Sequence, residues 1–240
     1  KRAVSGPLER YRSIMSAGAQ SFSQYHYEST TGGQMPVISL IHDILQTGDR
    51  VFKIEGILSG SLSYILSSLD RKLHTSFSEA LAGAQKRGLT EPDPTDDLSG
   101  QDTARKAIIL ARELGMELEL KDVAIESLIP EGVESMSEEF LSKIDAFISS
   151  RRYEAAKSGE SLRYVATIDS EAGKVSVGLK SYPENHPCFY ACEADTVVSF
   201  VTARNPASTP LVVRGPGAGA VVTASGVFSD LLRLSKTLGS

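Results

Sequence analysis

Hydrophobic positions along this chain follow two rhythms, and their alternation sketches an architecture. Val37, Ile38, Leu40, Ile41, Ile44 and Leu45 line one face of a helix ending near Gly48, because residues three and four apart share a helix face. A β run from Val51 to Ile57 follows. Residues 77–87 form a second helix stopped by Gly88, and Ala104, Ile108, Ala111 and Leu114 mark a third, with Gly115 just past its last turn. Ser99, with Asp102 three residues on, reads as the N-terminal cap of that third helix. Residues 123–129 are a candidate strand, and residues 137–157 are helical and highly charged, as a solvated outer helix would be. Residues 162–168 and 174–180 flank Asp169-Ser-Glu-Ala-Gly173 as a hairpin, and residues 196–203 and 210–214 supply two more strands. A glycine-rich turn from Gly215 leads into a long apolar helix ending near Leu238.

Composition narrows the class. With 240 residues, 41% hydrophobic and 23% charged, the chain can bury a substantial core. The net charge of −5 and the absence of a basic stripe argue against nucleic-acid or membrane-surface binding and leave small molecules as the expected partners. Cys188 and Cys192 make a poor zinc site and a doubtful disulfide. With no signal peptide or apolar span, a cytoplasmic setting is the default, or an organelle stroma or matrix if a transit peptide lies upstream. The opening Lys1-Arg-Ala-Val-Ser-Gly-Pro has neither a methionine nor a preceding strand, so the sequence is expected to begin inside a longer protein.

The densest chemistry lies in residues 89–106, which hold five carboxylates and one lysine. Pro92 and Pro94 restrict Glu91 and Asp93 and stiffen the loop. Asp102 and Lys106, four apart, share a face in the first two helical turns. A bland alternative is an exposed i,i+4 ion pair worth a few tenths of a kcal/mol. The chemical alternative is a pocket whose acids grip a substrate ammonium while the lysine handles a proton. Earlier in the chain, Glu28 precedes Gly32-Gly33 and Met35-Pro36, a turn that can offer carboxylate and carbonyl oxygens to a hard cation. The alternative there is a glutamate that caps the next helix. The four histidines, His26, His42, His74 and His186, sit in unrelated contexts and suit structural or surface roles.

Residues 89–106, the stretch Ile54-Glu-Gly-Ile-Leu-Ser-Gly-Ser-Leu-Ser-Tyr-Ile65 and the late Gly215-Pro-Gly-Ala-Gly-Ala220 resemble, in order, the signatures of the homoserine dehydrogenase family. The resemblance extends over essentially the whole chain. It implies reversible hydride transfer between NADP or NAD and the homoserine/aspartate 4-semialdehyde pair. By position it assigns proton donation to Lys106, with Lys1 assisting beside cofactor and substrate, and substrate contacts to Gly88, Glu91, Asp97 and Asp102. Cofactor contacts fall to Gly217 and Gly219, and a sodium ion to Glu28, Thr31, Gly33 and Met35. The glycine-rich turn alone is weak evidence for nucleotide binding, since the full fingerprint with a distant acid is not there.

The expected fold is α/β in the α+β sense, a mixed sheet of about five to six strands covered by helices. Residues 1–214 would be the substrate-binding, catalytic and dimerisation domain. Residues 215–240 would return as a helix packing on a Rossmann-type domain that the sequence lacks. A homodimer is the expected assembly. The alternative from another class is a substrate-binding and dimerisation module without turnover.

Overall fold

The computed structural model describes residues 1–21, 23–71, 75–90, 93–132 and 136–238. Glu91, Pro92 and His74 lie outside the described residues. Among these residues one six-stranded sheet organises the fold, in the order β2-β4-β3-β1-β5-β6. Its strands are β1 (Val51–Ile57), β2 (Ala124–Ile125), β3 (Ser161–Asp169), β4 (Lys174–Tyr182), β5 (Asp195–Thr202) and β6 (Leu211–Pro216). Only β2 runs parallel to its neighbour; the other four pairings are antiparallel, so the sheet is mixed. The helices are α1 (Leu8–Ser21), α2 (Ile38–Gln46), α3 (Gly60–Arg71), α4 (Phe77–Lys86), α5 (Thr95–Leu98), α6 (Gln101–Glu113), α7 (Glu138–Lys157) and α8 (Ala220–Leu238).

Strand alternation gives the sheet two different faces. Ile54, Tyr164, Ala166, Ile168, Val177, Val198 and Phe200 point to the helical side and join one core with Leu62 and Ile65 of α3 and Ile108 of α6. Ile57, Val165, Tyr182 and Val197 point the other way, where Cys188 and Ala191 cover them. That second face also buries charge. Arg163, 3% exposed, donates to the carbonyls of Cys188 and Phe189 and pairs with Asp70 at 2.6 Å, pinning the 183–194 segment to β3.

Several expectations are corrected. Helix α6 is not capped by Ser99. Gly100 is the cap, at φ +75, and a Cβ there would stand 2.1 Å from the Tyr164 hydroxyl. Ser99 Oγ instead donates to the Asp96 carbonyl at 3.1 Å. The candidate strand at 123–129 shrinks to Ala124–Ile125, because the next backbone groups are taken elsewhere: the Glu126 carbonyl accepts from Tyr164 at 2.7 Å and Leu128 N–H donates to Leu98 at 2.9 Å. The acidic loop contains the short helix α5, begun by the Asp93 carboxylate accepting from Thr95 N–H at 3.0 Å and ending on buried Leu98. Helix α7 is charged but not simply solvated, since Phe140, Ile144, Ile148 and Ala155 form a buried stripe. Helix α1, which the pattern did not announce, buries none of its residues. The expected end of α6 holds: Gly115, at φ +80, donates to Arg112 and Met116 donates to Ala111, a glycine-terminated helix stop.

Candidate active site

The end of β1 and the starts of α3 and α6 converge. Ser59 caps α3 by accepting from Leu62 N–H at 3.3 Å, and its hydroxyl meets that of Ser61 at 2.9 Å. This fixes the junction between β1 and α3 and leaves the Leu58 carbonyl free to accept from outside the helix. Lys106 Nζ donates to that carbonyl at 2.6 Å and stands 3.0 Å from Asp102 Oδ2. Lys1 Nζ pairs with the other oxygen, Asp102 Oδ1. The three side chains are sparingly exposed, 32% for Lys1, 20% for Asp102 and 17% for Lys106. Burial by itself would raise the Asp102 carboxyl, but the ammoniums of Lys106 and Lys1 outweigh it and hold the group below its ordinary range. The result is a carboxylate clamped between two cations. An ammonium has three N–H donors, so Lys106, with one on Leu58 and one on Asp102, keeps a third for a bound oxygen.

Other expected residues fall around this group. Gly88 follows α4 at φ +66, with its N–H on the Gln85 carbonyl and open space where a side chain would stand. The backbone conformation therefore accounts for glycine at this position. Asp97 is half-buried in α5, which packs against α3 and α6. Next to the undescribed Glu91, the Thr90 hydroxyl is buried without a partner.

The glycine-rich turn sits against the same junction. A Cβ on Gly217 would fall 1.8 Å from Thr196 Oγ1, and one on Gly60 would lie 3.1 Å from Ala218 Cβ. Gly219 adopts φ +113 with nothing within 4 Å of its absent side chain. Two residues after the carbonyl that holds Lys106, the chain thus touches an exposed, side-chain-poor turn of the kind an extended ligand can approach.

The loop 28–35 builds the other side of that turn. Glu28 is 4% exposed, and its carboxylate accepts from Ile38 N–H at 2.6 Å and Ser39 N–H at 2.9 Å, capping α2. It also pairs with Arg233 at 3.2 Å, while its own N–H donates to Asp230 at 3.0 Å. Gly33, at φ +65, would place a Cβ 2.8 Å from Val222 and 3.0 Å from the Gly217 carbonyl. Met35 is buried, and the Thr31 hydroxyl is buried without a partner. Glu28 thus serves as the helix cap that the sequence allowed. Among the described residues no three His, Cys, Asp or Glu side chains cluster as metal ligands.

The structure therefore unites Lys1, Asp102 and Lys106, and separately Gly33 with Gly217. Sequence reasoning missed the Leu58 carbonyl, Thr196, Asp230 and Arg233. A carbonyl carries no residue signature, and α8 meets the Glu28 loop across about two hundred residues of sequence. His42 and His186 are structural, bonded to Glu113 at 2.6 Å and Glu55 at 3.3 Å. Cys188 and Cys192 are both free thiols. No described helix is long and apolar enough to cross a membrane.

Comparison with known proteins bears on this geometry. The profile of the homoserine dehydrogenase family matches residues 36–232. The chain is 46% identical to a bifunctional aspartokinase/homoserine dehydrogenase of Zea mays over 245 residues, covering all of this chain and 26% of that protein. It is 39% identical to the homoserine dehydrogenase of Saccharomyces cerevisiae, covering 99% of this chain and 68% of that one. A crystal structure of a Candida auris protein described as of unknown function superposes with a TM-score of 0.90 at 39% identity, covering 98% of this chain and 68% of that chain. The chain thus spans about a quarter of the length of the bifunctional plant relative. With Asp102, Lys106 and the glycine-rich turn on the matched span, and 99% of its length covered by a relative of that name, the chain belongs to the homoserine dehydrogenase family.

Proposed function

We propose that this chain is the substrate-binding and catalytic part of an enzyme that interconverts L-homoserine and L-aspartate 4-semialdehyde with NADP or NAD, in the biosynthesis of threonine, methionine and isoleucine. The observation that carries the reading is the Lys1–Asp102–Lys106 group beside the Gly217–Gly219 turn. The nicotinamide group, when bound, supplies or accepts the hydride. The residues of this chain do the rest. Asp102 and the Leu58 carbonyl fix the Lys106 ammonium, which presents its remaining N–H to the reacting oxygen and holds the proton transferred there. Lys1 adds a second positive charge where the alkoxide develops, an environment that stabilises it. Glu91, Asp97 and the backbone at Gly88 would hold the amino-acid end, since charge-assisted bonds select an ammonium-bearing substrate over a plain aldehyde.

Gly217 and Gly219 would lie against the cofactor. The apolar face of α8, with Val221, Val227, Phe228 and Leu231 each more than half exposed, would pack on a dinucleotide-binding domain, making 1–214 and 215–240 functionally distinct parts. The partnerless Thr31 hydroxyl suits an oxygen-rich cation site, so the carbonyls of Thr31, Gly33 and Met35 would hold a sodium ion with Glu28 as counter-charge. A homodimer through this domain completes the proposal.

The deciding experiment is Lys106→Ala in the full-length protein. Its kcat for NAD(P)⁺-dependent homoserine oxidation should fall at least about a hundredfold, with cofactor affinity and fold retained. Unaltered turnover would remove Lys106 from the chemistry.

A further inference from the structure

The position of Lys106 and the position of the glycine-rich turn are not independent. Leu58, whose carbonyl holds the Lys106 ammonium at 2.6 Å, is buried, as are Ser59 and Ser61. Between these serines lies Gly60, the first residue of α3. A methyl there would sit 3.1 Å from Ala218 Cβ and 3.5 Å from Ala194 Cβ. The first separation is tighter than ordinary carbon–carbon contact, which is about 3.5–4.0 Å. The turn is close-packed at its neighbouring residue too, since Gly217 rests on Thr196, where a Cβ would meet the hydroxyl at 1.8 Å.

We infer that Gly60 is a positioning residue: its missing side chain sets the spacing between the ammonium of Lys106 and the Gly217–Gly219 turn. Local preference does not account for the glycine. The φ of Gly60 is not positive, so alanine could adopt the same backbone conformation. A methyl at position 60 would push Ala218 away from α3 or pull back the β1–α3 junction and the Leu58 carbonyl with it. Either movement alters the relation between the group that handles the proton and the group that holds the cofactor. Displacements near 1 Å can cost about a hundredfold in rate, so a shift of a few tenths of an ångström should cost about tenfold. The inference rests on the function proposed above.

The test is a four-variant cycle in the full-length protein: parent, Gly60→Ala, Ala218→Gly and both together. Gly60→Ala should lower kcat for homoserine oxidation about tenfold when residue 218 is alanine and less than about twofold when it is glycine. Its melting temperature should be unchanged or higher. Ala194→Gly, which relieves only the 3.5 Å contact, should not rescue. Equal losses in both 218 backgrounds, or no loss in the parent background, would overturn the inference. A parent that fails to oxidise homoserine refutes the functional reading by itself. The same cycle read as NADPH affinity by fluorescence then decides the spacing. A loss confined to the Ala218 background supports it, and equal affinities in all four variants overturn it.

Discussion

Replacing Gly226 by alanine should loosen the seat of α8, although alanine favours a helix. Gly226 lies inside α8, where the exchange alone would add about 1 kcal/mol of stability. The structure opposes that gain. A Cβ at 226 would stand 2.1 Å from the Gly33 carbonyl oxygen and 2.3 Å from Ser29 Oγ, while an ordinary carbon–oxygen contact is about 3.3 Å. Ser29 can rotate away, but the Gly33 carbonyl is backbone. Gly33 is itself held at φ +65 and is wedged against Val222 and the Gly217 carbonyl. Relief therefore requires α8 to lift by about 1 Å from the 28–33 loop, weakening the Glu28–Arg233 pair and the bond from Glu28 N–H to Asp230. Overpacking of this kind costs about 1–3 kcal/mol, to which the lost polar contacts add. After the helix gain is subtracted, a net loss of about 1–2 kcal/mol is expected, or about 2–8 °C in Tm for a domain of this size. Gly83→Ala is the control. It is also helical, but its Cβ would meet only the tip of Tyr64 at 3.4 Å, so it should stabilise by about 0.5–1 kcal/mol. Thermal unfolding of both variants in the full-length protein gives the answer. A Gly226→Ala variant as stable as Gly83→Ala would mean that α8 does not rest on the 28–33 loop.

Other expectations concern the opposite sheet face and the acidic loop. Glu55 is 8% exposed. Burial pushes its carboxyl up, but bonds from His186, Lys53 and Tyr182 prevail and bring it from 4.5 to about 2. A carboxyl depressed on folding stabilises above its unfolded value and loses that contribution as pH falls towards the folded one. Glu55→Gln should therefore cost at most about 3 kcal/mol at pH 7, and the deficit in urea midpoint should shrink from pH 4.5 down to about pH 2; a deficit independent of pH would refute the assignment. Arg163→Leu strands Asp70 and the carbonyls of Cys188 and Phe189. It should cost about 3–5 kcal/mol and expose Cys188, whose buried thiol is pushed up to about 12. Thiol titration of the native protein would detect it: if Cys188 reacts no faster in the variant, Arg163 does not anchor that segment. Glu91→Gln should raise KM for homoserine with kcat little changed, and steady-state kinetics showing the same KM would confine Glu91 to shaping the loop.

Much of the architecture could be read from local pattern. The range of β1 and the β3–β4 hairpin followed from alternation and turn residues, and the stops at Gly88 and Gly115 from glycine's tolerance of positive φ. Asp102 and Lys106 could be placed together because four residues separate them on one helix. Each of these is a short-range property that a few neighbouring residues settle. The correction at Gly100 was not of that kind: its helix cap is chosen by Tyr164, more than sixty residues away in β3. Likewise the 123–129 strand ended early because Tyr164 and Leu98 took its backbone groups.

What the sequence by itself determined is most of the longer elements and the chemistry available on them: one face with a carboxylate and an ammonium, and turns rich in glycine. Tertiary structure alone decided that Lys106 points at the Leu58 carbonyl, that Lys1 reaches Asp102 across about a hundred residues, and that α8 closes over the Glu28 loop through Arg233 and Asp230. The physical reason is that helical periodicity and turn preference act over a few residues, whereas these contacts exist only after the sheet has closed and brought distant backbone and charge together.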